Sequence, residues 1–119
     1  MSEVDTAAVI ARFNDAFQKH DPALLDGLIA EDCVVENNSP APDGARYLGR
    51  AACLAWWQGI AADTTSGFDL EDVIVCGDRA TILWRFRFGD GNENSVRGVN
   101  LMLVRDNLIV EGKGYVKSG

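Results

Sequence analysis

The chain has 119 residues, of which 47% are apolar and 24% are charged, a length and composition typical of one folded domain. Its formal net charge is −7 and its basic residues are not clustered, which argues against nucleic acid or a membrane surface as a partner, because both are bound through basic patches. We therefore expect a single domain over residues 1–119.

A helix is predicted at the start of the chain. Phe13 and Phe17 belong to an apolar stripe at helical spacing that predicts a helix over residues 3–19. Ser2 and Asp5 resemble a capping box that would begin this helix.

Two more helices are predicted before the longer strands. Asp21 is a suitable N-cap for the second helix, and Pro22 is a suitable first helical residue. The apolar face of this helix would consist of Leu24, Leu25, Leu28 and Ile29. A third helix is predicted over residues 50–62, after Gly49, with Trp57 on its apolar side.

The strands are predicted around and after the third helix. The first is short, over residues 33–37, and it ends in a proline-rich loop. Four longer strands are predicted over residues 68–76, 79–88, 93–105 and 108–117. The order ααβαββββ predicts an α+β fold, in which three helices pack in a strongly curved, mixed or antiparallel sheet.

Both faces of the later strands are apolar. Trp84 and Phe86 alternate with Leu83 on one strand, so each face of the sheet carries large apolar side chains. On the next strand, Asn100 and Met102 share the inward face, opposite Val99, Leu101 and Leu103. We expect a homodimer through the outer face, since symmetric dimers are the commonest oligomers. A larger core within one chain is the alternative.

The N-terminal residues, the cysteines and the single histidine bear on the cellular location of the protein and on its cofactors. The N-terminal residues lack the basic start and apolar segment of a signal peptide, so we expect a cytoplasmic protein. Cys33, Cys53 and Cys76 are odd in number and lie in apolar contexts, which predicts buried free thiols. With one histidine and no close cysteine pair, neither a metal site nor a cofactor is expected.

The element order, the segment Val35-Glu36-Asn37 and the ending Val110-Glu111-Gly112-Lys113-Gly114-Tyr115 resemble the NTF2-like superfamily. The resemblance covers nearly the whole chain and is greatest to the small SnoaL-like and ketosteroid isomerase-like proteins. It implies a cone in which a bent sheet and three helices surround a pocket, and a dimer formed by the outer sheet face. It also makes Asn100 a candidate pocket residue.

The resemblance to ketosteroid isomerases does not extend to their three catalytic residues. Those enzymes use a tyrosine on the first helix, a carboxylate base after the first strand, and an aspartic acid on a late strand that its apolar surroundings keep protonated. These positions fall on Phe13, Asn37 and Asn100 here. Phe13 has no hydroxyl group and Asn37 has no titratable proton, so steroid isomerisation is predicted to be absent. Asn100 could still donate a hydrogen bond to an oxyanion.

Two other active branches of the superfamily are disfavoured. The polyketide cyclases use an aspartate or histidine in the pocket, whereas His20 lies at the turn after the first helix. The limonene epoxide hydrolases need an arginine and two carboxylates, and their positions fall near Trp84, Phe86 and Gly114.

The predicted pocket is therefore aromatic and amide-lined. Its predicted residues are Phe13, Phe17, Asn37, Trp57, Trp84, Phe86, Asn100 and Met102. Asn100, Asn37 and Glu36 are weak catalytic candidates, and Glu36 would enter the pocket as a base only if the register of its strand slipped. Alternatively, Trp84 and Phe86 fill the cone.

Three hypotheses on function follow. The first is an isomerase-like or cyclase-like enzyme that stabilises an oxyanion through Asn100. The second is a non-catalytic binder of a small apolar molecule, favoured by the scarcity of acid/base residues. The third is a dimeric interaction module with a filled cone. A titratable group in an open cavity favours the first, and an open cavity without one favours the second.

Overall fold

Two α-helices and a curved six-stranded sheet form the described part of the chain, residues 3–117 of a computed structural model. The helices are α1 (Glu3–Gln18) and α2 (Arg50–Ala62). The strands are β1 (Ile29–Glu36), β2 (Arg46–Leu48), β3 (Gly67–Cys76), β4 (Arg79–Phe88), β5 (Asn94–Arg105) and β6 (Leu108–Val116). This architecture confirms the predicted α+β class.

The helix α1 buries the apolar stripe that predicted it. Ile10, Phe13 and Phe17 are at most 9% exposed and pack in the core between the helices and the sheet. Ser2 of the proposed capping box lies outside the described residues. No helix within residues 3–117 is long and apolar enough to cross a membrane.

The predicted second helix is wrong beyond its first turn. Asp21 caps it as expected, since its side chain accepts a hydrogen bond from the backbone nitrogen of Ala23, but the helix is a four-residue 3₁₀ turn, Pro22–Leu25. Gly27 follows with a φ of +79°, which a right-handed helix does not allow. The backbone of Leu28 then pairs with β6, so β1 begins at Ile29 rather than at residue 33.

The sheet has the strand order β2-β1-β6-β5-β4-β3. Strands β3 to β6 form an antiparallel meander, as predicted, whereas β1 lies parallel to β6. The short strand β2, which the sequence pattern did not predict, pairs antiparallel with β1. The sheet is therefore mixed.

The alternation of side chains on the meander follows the prediction. Cross-strand pairs join Trp84 to Gly98, and Asn100 to both Ile82 and Gly114, which places these residues on one face. This inner face packs against the helices. The opposite face carries Leu101 and its neighbours toward the exterior.

Candidate functional site

A cavity of about 510 Å³ lies between the two α-helices and the inner face of the sheet. Seven of the eight predicted pocket residues line it: Phe13, Phe17, Asn37, Trp57, Trp84, Phe86 and Asn100. Lining residues that the sequence pattern did not single out include Asn14, Gln18, Trp56, Ile60, Phe68 and Leu70. The cone of this protein is therefore not filled by Trp84 and Phe86.

Aromatic rings form a continuous wall from the helices to the sheet. The Phe13 ring lies 4.9 Å from the Trp57 ring and 4.9 Å from the Phe17 ring, by centroids. The Phe17 ring lies 5.8 Å from the Phe68 ring. The Phe68 ring lies 5.3 Å from the Trp84 ring, in an edge-to-face contact. Such tilted and edge-to-face pairs are the favoured geometry for aromatic side chains.

The inward side chains of β4 give the cavity an open end and a deep end. Phe88 lines the open end and is 37% exposed, whereas Ile82 lines the deep end and is 2% exposed. They are six positions apart in the strand, so this wall is about 20 Å long at about 3.3 Å per strand residue. Phe86 and Trp84 lie between them along the same wall.

Glycines on the facing strands make room for the tryptophan rings. A Cβ on Gly98 would collide with the Trp84 ring, and a Cβ on Gly112 would stand 2.6 Å from Cζ2 of Trp57. Both glycines therefore allow an indole ring to lie flat against the sheet. Gly114 is less crowded, because its nearest neighbour would be Oδ1 of Asn100 at 3.3 Å.

Asn100 is hydrogen-bonded to the aromatic wall. Nε1 of Trp84 donates to Oδ1 of Asn100 over 3.2 Å. Because an indole nitrogen can only donate, the amide oxygen must face Trp84 and the amide nitrogen must face elsewhere. No described residue accepts a hydrogen bond from that nitrogen, and Asn100 lines the cavity. The cavity therefore contains a neutral donor at its deep end.

Two further amides line the cavity from α1, one helical turn apart. Nε2 of Gln18 donates to the backbone oxygen of Phe68 at 2.7 Å, which ties α1 to β3. The side chain of Asn14 is 9% exposed and has no hydrogen-bond partner among residues 3–117. No side-chain nitrogen or oxygen in that range is both fully buried and without a partner, so the Asn14 amide is not fully buried, and the residue lines the cavity.

Glu36 is the titratable residue among those that line the cavity, all of which lie within residues 3–117. Its carboxylate Oε2 lies 3.5 Å from Nε of Arg46 on the neighbouring strand. Val35 points inward opposite Gly112 and is 2% exposed, so alternation turns the Glu36 side chain to the outer face. The register shift in β1 occurs earlier, between Ile29 and Val34, and does not bring the carboxylate into the cavity.

Asn37 lines the cavity, but its side chain holds the following loop. Its Oδ1 accepts hydrogen bonds from the backbone nitrogens of Ala45 at 2.8 Å and Ser39 at 3.2 Å. Gly44 completes this loop with a φ of +79°, and a Cβ there would collide with the backbone oxygen of Asn37. The amide oxygen of Asn37 is thus committed to the loop.

Met102 does not line the cavity, contrary to the prediction. Its predicted inward orientation is correct, but it is 0% exposed and pairs with Gly112, one level deeper than Asn100. The Trp57 ring covers Gly112 and so separates Met102 from the cavity. Met102 is a core residue for this reason.

The three cysteines lie outside the cavity lining and are free thiols. Cys33 and Cys53 are buried as predicted, but Cys76 is exposed because it lies with Ile74 on the outer face of β3. Sγ of Cys53 donates to the backbone oxygens of Tyr47 at 3.3 Å and Cys33 at 3.4 Å. Burial raises the pKa of both inner thiols, and for Cys33 the neighbouring Cys53 raises the pKa further.

His20 lies outside the cavity lining, in the turn after α1. Its Nδ1 lies 3.1 Å from the backbone oxygen of Ala61 near the end of α2. The histidine therefore links the ends of the two helices.

The chain is similar to known proteins of the same fold. The family model for the SnoaL-like domain matches residues 10–112. An NTF2-like protein of unknown function from Mesorhizobium loti is 57% identical, with a TM-score of 0.92, over 98% of this chain and 93% of that chain. None of the curated proteins compared with the chain matches it.

More distant structures share the fold. A protein from Kribbella flavida that is provisionally named a ketosteroid isomerase is 19% identical, with a TM-score of 0.80, over 97% of this chain and 79% of that chain. A protein from Sinorhizobium meliloti that is provisionally named a polyketide cyclase is 22% identical, with a TM-score of 0.74, over 97% of this chain and 100% of that chain. With the family match over most of its length, the chain belongs to the SnoaL-like domain family of NTF2-like proteins.

Proposed function

We propose that this protein binds a small, flat, uncharged apolar molecule in its cavity. The observation that carries the proposal is the lining, which combines aromatic rings with amides and places no carboxylate or cation inside. Aromatic walls cover flat apolar surfaces well, and a few neutral polar groups orient the ligand. The volume of about 510 Å³ falls within the range of about 300–1,000 Å³ usual for small-molecule sites.

An isomerase-like or cyclase-like reaction is the alternative, and it needs a base. Asn100 could stabilise an oxyanion through its amide nitrogen, as donors of this kind do in acyl and enolate chemistry. However, the carboxylate of Glu36 pairs with Arg46 on the outer face, and Asn37 has no titratable proton. The geometry therefore favours binding without acid/base catalysis.

An interaction module with a filled cone is disfavoured by the volume of the cavity. A dimer remains compatible with an open cavity, because the outer sheet face carries exposed apolar side chains on β3, β5 and β6. Ile74 is 54% exposed, Leu101 38% and Tyr115 55%. Glu111 and Lys113, which lie 3.4 Å apart on this face, supply both signs of charge, which suits contact with a second copy of the chain. We propose a homodimer through this face, in the cytoplasm.

The cavity proposal is tested with the neutral dye Nile red, whose fluorescence rises in an apolar site. We expect saturable binding by the purified protein. Val96→Trp, at a lining residue of β5, should weaken binding at least tenfold because the indole fills the open end. Leu48→Trp places the same ring on a side chain that is 67% exposed and outside the cavity, so it should leave the affinity within twofold.

Circular dichroism and thermal melting of both variants establish that the fold is kept. Equal affinities for the wild type and Val96→Trp would place the dye outside the cavity and contradict the proposal.

A further inference from the structure

The deep end of the cavity contains an amide whose orientation is fixed by a neighbouring residue. An asparagine amide can present either its carbonyl oxygen or its NH₂ group to a ligand, because the two ends are similar in shape. At Asn100 the choice is made by Trp84, whose Nε1 lies 3.2 Å from Oδ1. If the amide turned round, two donors would face each other, at the cost of the existing hydrogen bond.

The fixed amide therefore turns its NH₂ group, rather than its carbonyl oxygen, to the cavity. Its nitrogen has no acceptor among residues 3–117, and Trp84 lies on the same wall, so the indole both contacts the ligand space and holds the amide. Asn14 differs, since no described hydrogen bond holds its amide, which can present either end. The polarity of the deep end is thus set at Asn100.

The charge of the lining excludes one class of acceptor. An anion bound beside Asn100 would lose its hydration, and no lining residue carries a positive charge to compensate. A neutral carbonyl oxygen needs no such compensation and is a good acceptor. The favoured polar group is therefore an uncharged acceptor on a flat apolar body.

We propose that Trp84 is a positioning residue, which locks Asn100 as a donor and thereby makes the cavity selective for neutral aromatic ketones over ligands that carry a donor at the same place. This inference rests on the proposed binding function and names its ligand class. The carbonyl would point toward Asn100, with the rings of the ligand against the wall that Phe68, Phe86 and Trp84 form together.

Three tricyclic compounds of nearly the same shape test the proposal. Fluorenone carries an acceptor at its central ring, carbazole carries a donor there, and fluorene carries neither. Dissociation constants are measured by equilibrium dialysis. We expect the wild type to bind fluorenone roughly fivefold more tightly than fluorene, as one net hydrogen bond allows, and to bind carbazole more weakly than fluorenone by a larger factor.

Trp84→Phe keeps an aromatic ring in the wall and removes the indole N–H. The Asn100 amide can then turn, so the preference for fluorenone over carbazole should fall at least threefold. A role for Trp84 in packing alone would weaken all three ligands by the same factor. Trp56→Phe is the matched control, because Trp56 lines the cavity and stacks on Tyr47 without holding an amide. It should leave the preference within a factor of two.

The outcomes separate the two proposals. If all three compounds bind the wild type and the fluorenone preference is absent, or is unchanged in Trp84→Phe, the inference about Trp84 is wrong and the binding function stands. If none of the compounds binds the wild type, both are overturned.

Discussion

Gly112 on β6 lies directly against the indole ring of Trp57 on α2, so that a Cβ on residue 112 would stand 2.6 Å from Cζ2 of the ring. Trp57 in turn meets Phe13 of α1 edge-to-face at 4.9 Å. The glycine therefore sets how closely both helices approach the sheet, and with it the depth of the cavity.

Replacing this glycine should destabilise the protein. In Gly112→Ala the new methyl group meets a ring that is 4% exposed and has little freedom to move, so we expect a loss of about 1–3 kcal/mol, the usual range for overpacking. Gly59→Ala is the control, because a Cβ at this exposed helical position has nothing within 4 Å and should stabilise the helix by up to about 1 kcal/mol. Urea denaturation measures both. Equal stabilities of the two variants would show that Trp57 can shift.

Asn37 is expected to act through its loop. Asn37→Ala removes the acceptor of the Ser39 nitrogen and one of the two acceptors of the Ala45 nitrogen, which also donates to the backbone oxygen of Ser39 at 2.9 Å. The substitution should cost about 1–2 kcal/mol, with faster hydrogen exchange at Ser39. Asn37→Asp keeps the acceptor oxygen and should restore the protection of that amide. Should Asn37→Asp exchange as fast as Asn37→Ala, the oxygen would not be what holds the loop.

The inner thiols should make stability depend on pH in the alkaline range. Their pKa values are raised above the ordinary value of 9.0 by burial, so above about pH 9 the unfolded chain loses thiol protons that the folded chain keeps. Stability should therefore fall as the pH rises, by at most about 1.4 kcal/mol per pH unit for each thiol. Denaturation at pH 8 and pH 10 measures the fall.

Reactivity gives a second measure of the same thiols. Because Cys76 is exposed and the others are buried, a disulfide reagent should modify one thiol per chain in the native state and three after unfolding.

Cys33→Ala combined with Cys53→Ala should remove much of the alkaline fall in stability, whereas Cys76→Ala should retain it. A fall of the same size in the double variant would assign it to other groups.

The proposed dimer should depend on the outer sheet face. Leu101→Asp places a charge at its centre and should give a monomer in sedimentation equilibrium, because burying an unpaired carboxylate is costly. Leu70→Asp is the control, since Leu70 is slightly more exposed, at 43% against 38%, but lies at the cavity opening on the inner face. A monomeric wild type, or a Leu101→Asp dimer, would rule out this interface.

Steroid isomerisation should be absent or slower by several orders of magnitude than in true isomerases. In the resemblance to those enzymes, Phe13 and Asn37 fall where the hydroxyl donor and the base are expected, and the carboxylate of Glu36 is paired with Arg46 outside the cavity. The test is the absorbance change when a Δ5-3-ketosteroid is mixed with purified protein. Turnover that disappears in Asn100→Ala would contradict this prediction, because it would place the reaction in the cavity.

The sequence predicted those parts of the fold that depend on local signals. The bounds of α2 (Arg50–Ala62) and β4 (Arg79–Phe88) agree with the structure, because Gly49 and the Gly77-Asp78 turn mark their starts. The extent of the second helix could not be predicted locally. Leu28 enters the sheet because its backbone oxygen accepts a hydrogen bond from the nitrogen of Ile109, a residue far along the chain.

Alternation along the strands predicted the inward orientation of Trp84 and Asn100, but it did not predict how deep in the cone each side chain lies. Met102 points inward and still lies below the cavity, because the position of Trp57 over Gly112 determines where the cavity ends. Asn14 was missed since a polar residue beside an apolar stripe is usually solvated. Its one available signal was its place next to Phe13, one turn from Gln18.

The parallel contact between β1 and β6 has a consequence for how the chain folds. Val35 pairs with Gly112, although much of the chain lies between them, and in the strand order β6 stands between the β2-β1 pair and the β5-β4-β3 meander. The meander can form from contacts between neighbours in sequence, whereas β1 must wait for β6 to be synthesised. We therefore expect the walls of the cavity to be joined late in folding, and substitutions in β6 to slow that step more than substitutions in β3.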